Sequence, residues 1–369
     1  MNYQLIDETS TLSSTVSMMQ SPDSVPPFCF SMTTEEATTA STTPRACMSF
    51  TAPQFSMEDE QLERESISEQ EREALRLDLY GYAALQRETP DFLQERLAAL
   101  QDYLQQNDDI PDSKKMVYEQ ALQECPDVVR EESNPLFFLR AENYDAEAAA
   151  AGLVQYWIVR KAIWGNAAFQ PLEQLEHIHQ QQLKQQQQQQ DYHNPPPSSP
   201  DSPIGNYILL PNDDMGRSVL FFAEAGHQQA RQVNQQMLQR TFLLFHKLAR
   251  DDIQQRHGCV IIVDARAIHP DSFNRKQYRR QLELLRAVPI PIRAVHVCFA
   301  AFKSPARLLQ PAILWMYGRN LRLRRQVHYG ACPQDLAQSL IEYGLRLGGL
   351  PQCIGGTFQL PSSPLSSSS

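Results

Sequence analysis

The stretch GCVIIVDARAI (258–268) sets five consecutive apolar residues, Cys259 to Val263, between a glycine and an aspartate. A short apolar run rich in β-branched residues, with no polar alternation, predicts a strand buried on both faces. Outward from it the chain alternates. SVLFFAEA (218–225) reads as a buried strand before it and IRAVHVCFA (292–300) as a third strand after it. Residues 228–256 predict a long helix with Val233, Met237, Phe242, Leu244, Phe245 and Leu248 among its apolar positions. DSFNRKQYRRQLELLRAV (271–288) predicts a helix capped by Asp271, SPARLLQPAILWMYG (304–318) another, and CPQDLAQSLIEYGLRLGG (332–349) closes the pattern. The expected fold is α/β, a mainly parallel sheet covered by helices.

The front of the chain is different. In EREALRLDLYGYAAL (71–85), Leu75, Leu79 and Tyr82 recur at helical spacing, and TPDFLQERLAALQDYLQQ (89–106) opens with a capping threonine and a proline. NPLFFLRAENYDAEAAAAGLVQYWIVRKAIWG (134–165) predicts one short helix around Phe137–Ala141 and another from an Asp145 cap through Trp157. The sequence therefore divides into a Ser/Thr/Pro-rich disordered start (1–56), an all-α domain (57–178), a Gln/Pro/Ser-rich linker (179–205), an α/β domain (206–358) and a disordered tail (359–369).

Charge is segregated. The chain carries a net charge of −10, but Met57 to Glu147 holds 24 acidic and 9 basic residues, a net of −15. Arg293 to Gly330 holds seven basic residues and no acidic one. An acidic chain with one local basic patch is not expected to bind nucleic acid. Seven scattered cysteines without a CxxC pair predict free thiols in a reducing compartment. No apolar run reaches the ~18 residues of a membrane span, and the acidic, arginine-free start does not resemble a targeting peptide. A cytoplasmic protein is expected.

No enzyme signature is present. Asp264 ends a strand, as the ribose-binding acid of a dinucleotide fold does, but no GxGxxG precedes it, and no GxxxxGK[ST] or GxSxG occurs. Asp264 reads as a turn residue and His296 as a buried core histidine. The pair His177 and His179 lacks a third ligand nearby, so no metal and no cofactor is expected.

The helix at 304–317 is unusual. Leu308, Leu309, Ala312, Ile313 and Met316 form one apolar face, yet Leu314, Trp315 and Tyr317 make the rest apolar too. Such a helix is buried on both sides or faces lipid. RNLRLRRQVHYG (319–330) follows at once with four arginines in seven positions. A basic cluster beside apolar surface suits an anionic bilayer; the plain alternative is a solvated helix end.

FLRAENYDAEAAA (138–150), DDMGRSVLFF (213–222), GCVIIVDARAI, PIRAVHVCFAAFKSPARLLQPAIL (291–314), RRQVHYG (324–330) and LPQCIGGTF (350–358) together resemble, in order, the motifs of the CRAL-TRIO family. The resemblance runs from about Ser133 to Phe358, interrupted by the glutamine tract. It implies a hydrophobic bowl of strands lidded by a gate helix, holding a hydrophobic small molecule or phospholipid without covalent chemistry. On that reading Phe221, Ile262, Val295, Val297 and Phe299 line the cavity, and Leu309, Ile313 and Met316 lid it. Lys303, Arg307, Arg319, Arg322, Arg324 and Arg325 then dock a monomer transiently on an anionic membrane surface. Family members that bind phosphatidylinositol carry a glutamate before the third strand and a lysine before a proline late in the gate. Here these are VPIPIR (288–293) and Gln310-Pro311, which does not favour that cargo. The rival expectation is a CRAL-TRIO-like scaffold without cargo, recruiting a signalling or trafficking partner through its acidic front half.

Overall fold

The computed structural model describes residues 56–106, 110–191, 207–223, 235–266, 268, 273–300 and 316–360. The expected disordered start and tail lie almost wholly outside these residues, as do Lys303, Arg307, Leu309 and Ile313.

Among the described residues of the front half there are eight α-helices: α1 (Met57–Glu65), α2 (Glu69–Tyr80), α3 (Pro90–Gln106), α4 (Asp112–Glu124), α5 (Pro126–Glu132), α6 (Pro135–Ala141), α7 (Ala146–Trp164) and α8 (Leu172–Asp191). Local chemistry sets their ends. Ser56 and Asp59 form a capping box at α1, the Ser68 hydroxyl accepts from Glu71 N at α2, and the Asp145 carboxylate accepts from Ala148 N at α7. Helix α2 stops at Gly81, whose φ of +79° is left-handed; a Cβ there would also lie 2.6 Å from the Met215 side chain.

Helix α7 continues past the expected end at Trp157 to Trp164, because no breaker occurs before Gly165 and Val159 and Ile163 extend its buried face. It is the hub on which α3, α4 and α6 pack, together with two helices of the back half, α9 (Gln235–Arg250) and α11 (Arg275–Ala287). Helix α8 is a second departure. It runs through the glutamine tract to Asp191, so the expected boundary at 179 falls inside a helix, and His179 is buried against Gln239 at 3.2 Å. Glutamine is a good helix former, and composition alone concealed that.

The back half holds β1 (Tyr207–Leu210), β2 (Ser218–Ala223), α9 (Gln235–Arg250), α10 (Asp252–His257), β3 (Cys259–Asp264), α11 (Arg275–Ala287), β4 (Ile292–Ala300), α12 (Arg319–Leu323), β5 (Arg325–Gly330) and α13 (Pro333–Ile341). The helix expected over 228–256 breaks at Asp251, whose carboxylate accepts from Ile253 N and Gln254 N and so starts α10. The sheet follows chain order, β1-β2-β3-β4-β5, with β1 antiparallel to β2 and every later pair parallel. The fold is α/β with a mainly parallel sheet, as expected.

Strand side chains alternate between faces. Leu220, Phe222, Ile261, Val263, Val295, Val297 and Phe299 share one apolar cluster with α7, α9 and α11. Val219, Phe221, Val260, Ile262, Ala294 and Cys298 share another with α13 and the C-terminal segment through Leu345, Leu350 and Ile354. Both faces are covered, as two-faced apolar strands require. A buried polar network also joins the halves. Arg160 donates to Glu132 Oε2 at 2.7 Å and to the Tyr156 hydroxyl at 2.7 Å, and that hydroxyl meets His246 Nε2 of α9 at 3.0 Å.

Candidate ligand cavity and arginine face

An apolar cavity lies between the first sheet face and α11. In this conformation it is narrow, with about 20 Å³ of space, room for roughly one water-sized molecule. Tyr207, Phe222, Ile261, Val263 and Val295 form its sheet wall; Leu282 and Leu285 come from α11, with Tyr317 and Leu321 beyond. Polar groups gather at one side. The Tyr278 and Tyr317 hydroxyls are 3.1 Å apart, and the Gln281 amide donates to Met237 Sδ at 3.6 Å. An apolar wall with a few convergent polar groups is the usual construction of a small-molecule site.

The expected lining residues divide. Val295 faces the cavity, and Val297 and Phe299 share its side of β4. Phe221 and Ile262 do not: they point the other way and pack in the cluster that holds Leu336 and Leu340 of α13. All five cannot line one cavity, because residues of opposite parity leave a strand on opposite faces. Met316 is buried in the same cluster as the cavity wall. The α11 residues Tyr278, Leu282 and Leu285 were missed, although their i, i+4, i+7 spacing is a helical apolar stripe legible in RKQYRRQLELLRA.

The arginines after Tyr317 are not a solvated cluster. Arg322 meets Glu63 twice, Nη2 to Oε1 at 2.6 Å and Nε to Oε2 at 2.8 Å. Arg325 Nη2 lies 2.7 Å from Glu60 Oε2, Arg324 Nη2 3.0 Å from Asp78 Oδ2, and Arg319 Nη2 3.2 Å from Glu71 Oε1. Side-chain exposure is 4% for Arg325 and 15% for both Arg322 and Arg324, against 47% for Arg319. In this conformation Arg322, Arg324 and Arg325, three of the four expected membrane-docking arginines that lie among the described residues, are therefore held under α1 and α2. Arg64 completes the contact by donating to the carbonyl of Arg322 at 3.0 Å, an acceptor in the last turn of α12, and to that of Arg325 at 3.1 Å, at the start of β5. The acidic stretch near the start and the basic stretch near the end are partners.

Further buried charges are also matched. Asp78 accepts from Arg293 at 3.1 Å as well as from Arg324, and its carbonyl accepts from Arg217 at 2.6 Å. Glu88 accepts from Arg140 through both oxygens, and these bonds hold its carboxyl down to about 2. On the second sheet face His296 Nδ1 meets His328 Nε2 at 2.9 Å, and His328 Nδ1 meets the Ser339 hydroxyl at 2.6 Å. Burial pushes His328 down to about 4 and His296 well below the usual histidine range. Asp264 is the last residue of β3, and its carboxylate pairs with the Arg266 side chain at 2.7 Å and accepts from Arg266 N at 3.3 Å in the loop that follows. Among the described residues no group of three or more His, Cys, Asp or Glu could hold a metal ion, and no helix is long and apolar enough to cross a membrane.

The chain matches no protein-family model, and a search of curated proteins returned no match.

Proposed function

We propose that this chain binds one small hydrophobic molecule between its sheet and α11, as a CRAL-TRIO-like carrier, and performs no covalent chemistry on it. The ordered motifs from Ser133 to Phe358 carry this reading, and the narrow apolar crevice bounded by Phe222, Val263, Val295 and Leu285 is the place we assign to the ligand, which widens it on entry. Burial of apolar ligand surface there supplies the driving force, at roughly 25 cal/mol per Å² removed from water. The hydroxyls of Tyr278 and Tyr317 and the amide of Gln281 give a ligand's polar end a place to settle and so fix its orientation. The reading includes visits to an anionic membrane, where ligand is exchanged.

Mass spectrometry of the gently purified protein, before and after organic extraction, tests the proposal. A stoichiometric apolar molecule in the extract supports it. Protein that is empty as purified and takes up no fluorescent fatty acid or sterol overturns it, and leaves the cargo-free scaffold as the reading.

A further inference from the structure

Helices α1 and α2 are held over α12 and β5 chiefly by charge. The apolar cluster at this contact consists of Ile67, Leu75 and Leu323. Nine residues are too few for α1 to keep its helical form alone. Its Leu62 is 63% exposed. The C-terminal end of α2 is anchored differently: Leu79 joins the core beneath α13, and Arg217 binds the carbonyls of Asp78 and Leu79 at 2.6 and 3.1 Å. The chain is thus fixed near residues 78–81 and held electrostatically before them.

We propose that α1 and the front of α2 form an internal competitor for an anionic bilayer. Glu60, Glu63 and Glu71 occupy the guanidinium groups of Arg325, Arg322 and Arg319, the same groups that would hold lipid phosphates. This inference rests on the membrane-visiting part of the proposed function. Helix α1, MEDEQLERE, carries five acidic residues and one basic, a net of −4. An anionic surface repels that helix as it attracts the arginines, so both effects open the contact. Arg324 stays with the anchored Asp78. A bilayer is favoured over nucleic acid because displacement of Ile67 and Leu75 uncovers Leu323 beside the arginines, and these follow directly on an apolar segment. With α1 in place the arginine face is closed; with α1 displaced it is open.

The full chain is tested with vesicles of phosphatidylcholine alone and with vesicles that also contain phosphatidylserine. Hydrogen exchange should show the α1 amides losing protection only with phosphatidylserine, while α7 stays protected. Glu63→Gln with Glu71→Gln keeps Glu60 on buried Arg325, so the fold is retained, as an unchanged melting transition would verify. That double variant should bind the anionic vesicles up to about 30-fold more tightly than wild type, since each of the two arginines it uncovers, Arg319 and Arg322, is worth about fivefold near such a surface. Unchanged α1 protection on anionic vesicles, or a variant that binds them no more tightly, overturns the proposal. Heparin in solution freeing α1 as well as vesicles do overturns the bilayer assignment. The ligand-extraction result separates the two readings: a released α1 on an empty protein counts against the carrier alone, and a fixed α1 on a loaded protein counts against the competitor alone.

Discussion

Arg140 and Glu88 meet edge to edge, Nε to Oε1 at 2.5 Å and Nη2 to Oε2 at 2.8 Å, and the Tyr144 hydroxyl donates to the same Oε1 at 2.6 Å. Both side chains are almost fully buried, at 7% and 6% exposure. The pair fixes the irregular segment after α2 against α6. Glu88→Gln should cost about 3 kcal/mol at neutral pH, because it leaves a buried guanidinium incompletely paired. The carboxyl is lowered from 4.5 to about 2, so its contribution is full above pH 4.5 and is lost as pH falls through about 2. Urea denaturation at pH 7 and pH 3 should show the gap between wild type and variant narrowing in acid. A gap of equal size at both values would reject this role for the charge.

The buried histidines give a second pH dependence. His246 is lowered to about 3 by burial and by Arg160 and Arg250, and His328 to about 4 by burial. Each is neutral in the fold and titrates near 6.5 when unfolded, so stability is full above about pH 6.5 and declines below it. For His328 the loss at pH 4 is on the order of 3 kcal/mol. Thermal melts between pH 7 and 4.5 should fall steeply for wild type and less steeply for His328→Gln. Parallel curves would show that His328 is not a source of the decline.

The two faces of the sheet make separable predictions for ligand binding. Val295→Phe adds bulk to the cavity wall and should cut uptake of an apolar fluorescent probe at least about tenfold, with an overpacking cost of about 1–3 kcal/mol. Ile262→Val, on the opposite face, should cost about 0.5–1.5 kcal/mol of stability and leave probe affinity unchanged. Fluorescence titration combined with denaturation measures both. Equal loss of affinity in the two variants would place the site elsewhere.

The C-terminal Gly355-Gly356 pair should resist any side chain. Gly355 has φ +88°, and a Cβ there would lie 2.2 Å from the Pro333 carbonyl oxygen; one at Gly356 would lie 1.9 Å from that of Leu350. Backbone cannot yield as a flexible side chain can. Gly356→Ala should therefore destabilise by at least about 2 kcal/mol, read as a shifted urea midpoint with an unchanged slope.

Strands β2, β3 and β4 were legible because a run such as Cys259–Val263 has few other uses in a globular chain. Their facing was not, since both faces are apolar and parity alone does not say which side meets α11 and which α13. Strand β1 was missed: four residues, Tyr207–Leu210, gain meaning only from their pairing with β2. The cavity could have been found from the α11 stripe, which the eye passes over among five basic residues. The ion pairs of Arg322 and Arg325 join positions 259 and 265 residues apart. No local pattern encodes such a pairing. Its trace in the sequence was the segregation of charge itself, acids near the start and bases near the end.

The sheet's chain-order arrangement also sets an order of assembly. Each strand from β2 onward adds beside the strand that left the ribosome just before it, so the sheet can lengthen as synthesis proceeds. Glu60 and Glu63 emerge early, yet their partners on α12 and β5 are among the last folded residues to appear. The N-terminal helices therefore wait for nearly the whole domain before they can settle. Their docking marks a sheet built through β5, and a product truncated before Arg319 would leave those acids without their arginines.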